Sequence, residues 1–247
     1  MKNSSQIFKY QPDRSVTIMQ EISTNQIKLK VCGLTRLNQI HELISMNVDF
    51  LGFIFYDKSP RYVLNHLNLE DVAGINHQGK VGVFVNESVD KIIEISKKAN
   101  LNCIQLHGDE DENFISELRE KLNSEIGIIK VIRVRNRTSE AENEIQQILN
   151  QQLKTCSYFL FDTDSKTFGG TGKQFDWTLL NDIEIPLPYF LSGGISEGNI
   201  GDIKTLNRKP FALDINSKFE TEPGLKDITK IREFKEIYTI GSPEGTN

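Results

Sequence analysis

The sequence predicts an α/β fold closed on itself as a single (β/α)8 TIM barrel, and three observations point there. Strand-like and helix-like segments alternate eight times over about 215 residues, the number and spacing this barrel needs. No linker interrupts the alternation, which argues for one closed sheet. The structural alternative, an open doubly wound sheet, expects a glycine fingerprint after its first strand, and "CGLTRL" is not GxGxxG.

The elements follow in order. "IKLKVCG" alternates as a strand, and "LNQIHELISMN" then places Leu37, Ile40, Leu43 and Ile44 at helical spacing. "VDFLGFIFY" is a buried strand rich in β-branched and aromatic residues. "LNLEDVAGINH" reads as a helix weakened by Gly74. "KVGVFVN" is a third strand, and "SVDKIIEISKKAN" a helix with Ser88 as its N-cap. "NCIQLHG" precedes the acidic-fronted helix "DEDENFISELREKLN", a charge order that suits the helix dipole. "IGIIKVIRV" pairs with "SEAENEIQQILNQQL", "SYFLFDT" with "DWTLLNDI" and "PYFLSGG" with "SEGNIGDIKTL". "PFALDIN" and "LKDITKIREFKEIY" close the eighth pair. The barrel is thus expected over residues 27–240, after a polar extension (1–26) with a second candidate start at Met19, and before a short tail (241–247).

Composition narrows the function. Hydrophobic residues make up 38% and charged residues 26% of the 247, as in a soluble globular protein. The chain shows neither an apolar run of roughly 18 residues nor the apolar core of a signal peptide, so the expectation is cytoplasm and no membrane. A net charge of −5 and basic runs of two residues argue against nucleic acid. Three widely spaced cysteines, Cys32, Cys103 and Cys156, make neither a disulfide framework nor a zinc site.

Active sites in this fold lie at the carboxyl ends of the strands, where several residues carry chemistry. Cys32 ends the first strand, on one face with Lys28 and Lys30, while Ile27, Leu29 and Val31 share the face expected to meet the helices. A buried cysteine is usually a small hydrophobe, so its place matters more than its type. Asp162 ends the sixth strand on the face of Leu160, across the mouth from Cys32; a loop-capping aspartate is the alternative. A thiol and a carboxyl held across a small cavity are a base and acid pair. "LSGGIS" brings Gly193 and Gly194 to the seventh strand end, where backbone N–H groups can approach a phosphate, and "ALDINSKFETEPG" is a candidate for the short extra helix of such sites. The loop "YDKSPRYV" offers Lys58 and Arg61, with Arg61 placed to hold a carboxylate at the far end of a phosphate-anchored ligand. His107 ends the fourth strand, to touch substrate or to orient a loop. His41, His66 and His77 read as surface residues. The glycines of "DTDSKTFGGTGKQFDW" lack P-loop spacing and suggest a lid.

Together the segments "KVCGLTR", "LGFIFYDKSPRYV", "VGVFVN", "IQLHGDE", "FDTDSKTFGGTGKQFDW", "LSGGIS" and "ALDINS" resemble the phosphoribosylanthranilate isomerase family of tryptophan biosynthesis, in order and over residues 28–217. The resemblance implies conversion of N-(5-phosphoribosyl)anthranilate to its 1-deoxyribulose product, with Cys32 as general base, Asp162 as general acid and Arg61 at the anthranilate end. It implies no cofactor and no metal, and it places His107, Gly193, Gly194, Asp214, Asn216 and Ser217 around the substrate. A monomer or a homodimer fits equally. One departure stands out: the family's D-x-S-S-G-x-E reads "DINSKFE", so Lys218 replaces a glycine and Asn216 a serine. If that glycine is left-handed, Lys218 must be strained or the loop must reshape.

The chemistry sets further expectations. Ring opening needs an acid with a raised pKa, and C2 deprotonation needs a partly ionised thiol. Lys30, about 6 to 7 Å back along the strand, would favour that thiolate, or pair with Asp162 or Asp214. With the thiol's pKa below the acid's, Cys32 would set the acidic limb of a bell-shaped pH profile and Asp162 the alkaline one. Rival readings fit less well. A metal-dependent sugar-phosphate epimerase would need more strand-end ligands than His107, and the neighbouring synthase of the pathway would want lysine and glutamate instead of a cysteine. A degenerate barrel sensing a phosphorylated ligand is the non-enzymatic rival, and turnover separates it from a catalyst.

Overall fold

The computed structural model describes residues 26–134, 138–163 and 175–240. Nearly all of the expected extension, most of the glycine-rich loop after the sixth strand and the tail lie outside the described residues. Eight parallel strands close into a barrel in sequence order: β1 Lys28–Val31, β2 Phe50–Ile54, β3 Lys80–Phe84, β4 Cys103–Leu106, β5 Gly127–Val134, β6 Tyr158–Thr163, β7 Tyr189–Leu191 and β8 Ala212–Ile215. Closure rests on the β1–β8 register, Lys28 to Ala212 through Val31 to Ile215.

Alternation along each strand separates two apolar clusters. Leu29, Val31, Phe53, Phe84, Ile104, Ile132, Phe159, Leu191 and Leu213 face the helices in the main core. Phe50, Val81, Cys103, Ile129, Val131, Leu160, Phe190 and Ala212 plug the barrel axis. Phe211 and Tyr158 stack beneath this plug with ring centroids 5.2 Å apart, and the Lys28 ammonium lies 4.6 Å from the Phe211 centroid. Each fully buried aliphatic or aromatic side chain contributes about 1.5–3 kcal/mol. The plug fills the lower axis, which leaves the next inward positions along each strand to form the mouth.

Among the described residues six α-helices cover the sheet: α1 Leu37–Ser45, α2 Leu69–Gly74, α3 Val89–Lys98, α4 Glu112–Lys121, α5 Ser139–Gln151 and α6 Ile228–Ile240. Ser88 caps α3 as expected, by accepting from the Lys91 N–H, and α2 stops at Gly74. Lysines from elsewhere complete two helix ends: Lys80 Nζ donates to Val72 O and Ala73 O of α2, and Lys235 Nζ to Met46 O and Asn47 O beyond α1. Two expected helices are corrected. After β6 and β7 the chain forms the 3-10 segments Trp177–Asn181 and Ile200–Thr205. The first is short, with Pro186 and Pro188 soon after it, and the second contains Gly201, so neither sustains the four-residue hydrogen-bond ladder of an α-helix. No helix among the described residues is long and apolar enough to cross a membrane.

Candidate active site

The end of β1 is a close-packed junction. Cys32 is 5% exposed, and its N–H donates to Ile215 O. Its sulfur rests against β2 where that strand has Gly52: a Cβ there would sit 2.9 Å from Cys32 Sγ, too close for any other residue. Directly below, Lys30 is fully buried and donates to Asp214 Oδ1 at 2.8 Å, so of its two candidate carboxylates Lys30 takes the β8 neighbour. Burial pulls the Lys30 ammonium towards neutrality, but Asp214 and Cys32 outweigh it and leave its pKa above the usual lysine value. Burial likewise raises Asp214, against the opposing pull of Lys30.

The expectation of an easily ionised thiol is overturned. Desolvation raises the Cys32 pKa above 9.0 despite the positive charges of Lys30 and Lys226. The cause is physical: burial disfavours the thiolate more than the charge and hydrogen bond of Lys30 favour it, and the negative charge of Asp214 opposes it further.

Asp162, across the mouth at the end of β6, is pushed up to about 7, first by burial and then by the charge of Asp214. Its Oδ1 accepts the Thr163 N–H at 2.8 Å. Gly193 of the loop after β7 has φ +83°, and a Cβ on it would lie 2.4 Å from Thr163 Oγ1 and 3.3 Å from Asp162 Oδ1. Gly194 follows at φ +74°, so both glycines occupy conformations that L side chains avoid. His107 Nε2 lies 3.5 Å from Asp162 Oδ2, while Gln105 Nε2 is 3.1 Å from its Nδ1. Burial and the charge of Arg133 push the imidazole down to about 3, so it is neutral at physiological pH and the approach to Asp162 is not an ion pair.

Arg61 is engaged within the protein. Its Nε donates to both oxygens of Glu220 at 3.0 and 2.9 Å, and its Nη2 to Oε2 at 2.7 Å. Lys58 in the same loop is exposed. After β8 the expected short helix is replaced by a three-residue 3-10 turn, Ser217–Phe219, and a hairpin of β9 Glu220–Glu222 and β10 Leu225–Lys226. Asn216 Oδ1 accepts from Lys226 Nζ at 2.8 Å. Lys218 is exposed and is not among the left-handed residues, so it carries no left-handed strain.

The mouth therefore brings together Cys32, Asp162, Asp214 and His107, with Gly193 against Asp162 and with Arg61 and Asn216 against the Gly33 turn beyond Cys32. Sequence reasoning missed Glu220, Lys226, Arg133 and Ser192, whose hydroxyl after β7 donates to Asp214 O at 3.4 Å and bears on the Asp162 carboxyl. Arg133 was legible: it lies two residues past the inward Val131, and its Nη2 reaches His107 O at 3.0 Å. Lys226 carries no pattern signal, since its hairpin lies outside the strand–helix rhythm.

The whole barrel matches the family model for N-(5'-phosphoribosyl)anthranilate isomerase over residues 29–236. The chain belongs to this isomerase family. The isomerase of Parabacteroides distasonis is 36% identical over 83% of this chain and 90% of its own length. The crystal structure of phosphoribosyl anthranilate isomerase from Thermotoga maritima superposes with a TM-score of 0.70 at 31% identity, covering 87% of this chain and 99% of that one. A phosphoribosyl anthranilate isomerase in complex with reduced 1-(o-carboxyphenylamino)-1-deoxyribulose 5-phosphate superposes with a TM-score of 0.68 at 29% identity, covering 87% and 99%. This member of the isomerase family is an enzyme built on a (β/α)8 barrel.

Proposed function

We propose that the barrel catalyses the Amadori rearrangement of N-(5'-phosphoribosyl)anthranilate, with Asp162 as general acid and Cys32 as general base. Asp162 gives its proton to the furanose ring oxygen as the C1–O bond breaks, and the nitrogen lone pair forms the C1=N bond of a Schiff base. The Cys32 thiolate then removes the proton from C2, which yields an enolamine. Protonation at C1 and loss of the C2 hydroxyl proton give the ketone, 1-(2-carboxyphenylamino)-1-deoxyribulose 5-phosphate. The observation that carries this reading is the pairing of a carboxyl held near pH 7 at the end of β6 with a thiol at the end of β1.

The other strand ends complete the proposal. Gly193, Gly194 and Ser217 take the phosphate through backbone N–H groups. Asn216 holds its loop through Lys226, and Asp214 acts behind the substrate by fixing Lys30. His107 contributes as a neutral imidazole. Arg61 takes the anthranilate carboxylate at the guanidinium nitrogen that Glu220 leaves unused. Residues 27–240 form the catalytic unit, and since one chain supplies all these groups, a monomer or a homodimer serves the reaction. The test is turnover of synthetic substrate, followed by loss of anthranilate fluorescence. Binding without turnover would favour a sensor and sink the proposal.

A further inference from the structure

The hairpin β9–β10 is no part of the closed sheet, yet its two buried charged side chains join Arg61 in one cluster: Glu220 pairs with Arg61, and Lys226 pairs with Glu220. Glu220 Oε1 accepts from Arg61 Nε, from Lys226 Nζ at 2.6 Å and from the Gly224 N–H at 3.1 Å, while Oε2 takes Arg61 Nε and Nη2. The hairpin is itself pinned to the segment that follows Cys32. Thr35 Oγ1 donates to Gly224 O at 2.7 Å, and Gln39 exchanges two bonds with the Lys226 backbone. Gly33, with φ +76°, makes room for the assembly: a Cβ there would fall 2.7 Å from Arg61 Cδ and 3.0 Å from Asn216 Oδ1.

We propose that Glu220 is a positioning residue for substrate recognition: it clamps the Nε–Nη2 edge of Arg61 and presents Nη1 to the substrate's carboxylate. Among the described residues Nη1 has no hydrogen-bond partner. The inference rests on the reading of Arg61 as the carboxylate-binding group.

Charge supports the assignment. Arg61, Lys226 and Glu220 have side chains 10%, 0% and 3% exposed, so two cations share one buried carboxylate. A cluster serving only stability would balance its charges, because a buried excess is costly. A surplus positive charge beside a committed carboxylate suits an incoming anion, and a fixed guanidinium edge suits a planar one.

The experiment compares N-(5'-phosphoribosyl)anthranilate with its aniline counterpart, which lacks the carboxylate. Glu220→Gln keeps the shape and removes the charge. It should lower the ratio of kcat/KM between the carboxylated and uncarboxylated substrates by roughly tenfold, through KM, the loss expected when one charge-assisted bond is misaligned. Arg61→Ala should collapse the same ratio, and the double variant should lose no more than Arg61→Ala alone. If Arg61→Ala shifts the ratio and Glu220→Gln does not, the positioning role is overturned while the Arg61 reading stands. If Arg61→Ala leaves the ratio unchanged, the Arg61 reading falls first. Lys226→Met guards against a misfolded Glu220 variant: removing the surplus charge should also lower the ratio, and an unchanged ratio overturns the proposal.

Discussion

Replacing Asp162 by asparagine should make this protein more stable and, on the proposed mechanism, nearly inactive. Its carboxyl titrates at about 7 in the folded chain, against 3.8 for an ordinary aspartate, chiefly because its side chain is only 16% exposed. The folded state therefore binds this proton more tightly than the unfolded chain does. Ionised Asp162 is then a destabilising group whose cost is absent below about pH 4, grows through the interval and is complete above about pH 7. Three units at about 1.4 kcal/mol each put the full cost near 4 kcal/mol. Asparagine is never charged, and its oxygen can still accept the Thr163 N–H. In urea melts the stability gained by Asp162→Asn should increase by about 2–3 kcal/mol between pH 5 and pH 8. The same variant should lose about 10²- to 10⁴-fold in kcat with little change in KM, the usual contribution of a positioned acid. A stability difference that does not change with pH refutes the burial argument. Turnover within about threefold of wild type refutes the acid assignment.

Two other substitutions probe the opposite wall. Cys32→Ala should abolish turnover while substrate still binds, seen as an unchanged fluorescence titration, and near-normal kcat would remove the thiol from the mechanism. Lys30→Met leaves the Asp214 carboxylate buried without its partner and should destabilise by about 3–5 kcal/mol at neutral pH. Because Asp214 escapes the penalty by taking a proton, the loss should shrink as pH falls; urea melts showing a pH-independent loss would mean the pair does not carry this energy.

The barrel was legible because its signal is periodic. Strand alternation in "IKLKVC" assigned Lys28, Lys30 and Cys32 to the interior and Leu29 and Val31 to the helix side, and the two apolar clusters divide that way. The helices after β6 and β7 were misread because apolar residues at three- and four-residue spacing fit a 3-10 turn as well as an α-helix when the segment is short. At the site, inward strand-end residues could be found by parity. The hairpin could not, for Glu220 and Lys226 act through contacts to Arg61 and Gln39, residues more than 150 positions away in sequence. The direction of the Cys32 shift was also hidden. Position predicts a lysine beside the thiol, but only the structure shows the thiol buried deeply enough to outweigh that lysine's charge.

The burial of Cys32 and Asp162 decides how activity should depend on pH. The proposed chemistry needs ionised Cys32 and protonated Asp162 at the same moment. In the folded chain Asp162 loses its proton near 7, while burial raises the Cys32 thiol above its ordinary value, the reverse of the useful order. Each unit of separation is a factor of ten, so only a small minority of molecules holds the reactive combination. The limbs of the kcat/KM profile follow the lower and the upper of these two titrations, whichever group carries each. The acidic limb should therefore fall near 7, where Asp162 titrates, and the alkaline limb above 9, where the thiol does, opposite to the assignment that Lys30 suggested from sequence alone. In Asp162→Asn the limb near 7 should vanish, leaving residual activity that climbs with thiol ionisation. Alkylation of wild-type Cys32 by iodoacetamide should follow the same upper step. A midpoint below 7 in that alkylation, or a limb near 7 persisting in Asp162→Asn, would show that bringing Lys226 and Lys30 beside the sulfur outweighs its burial after all.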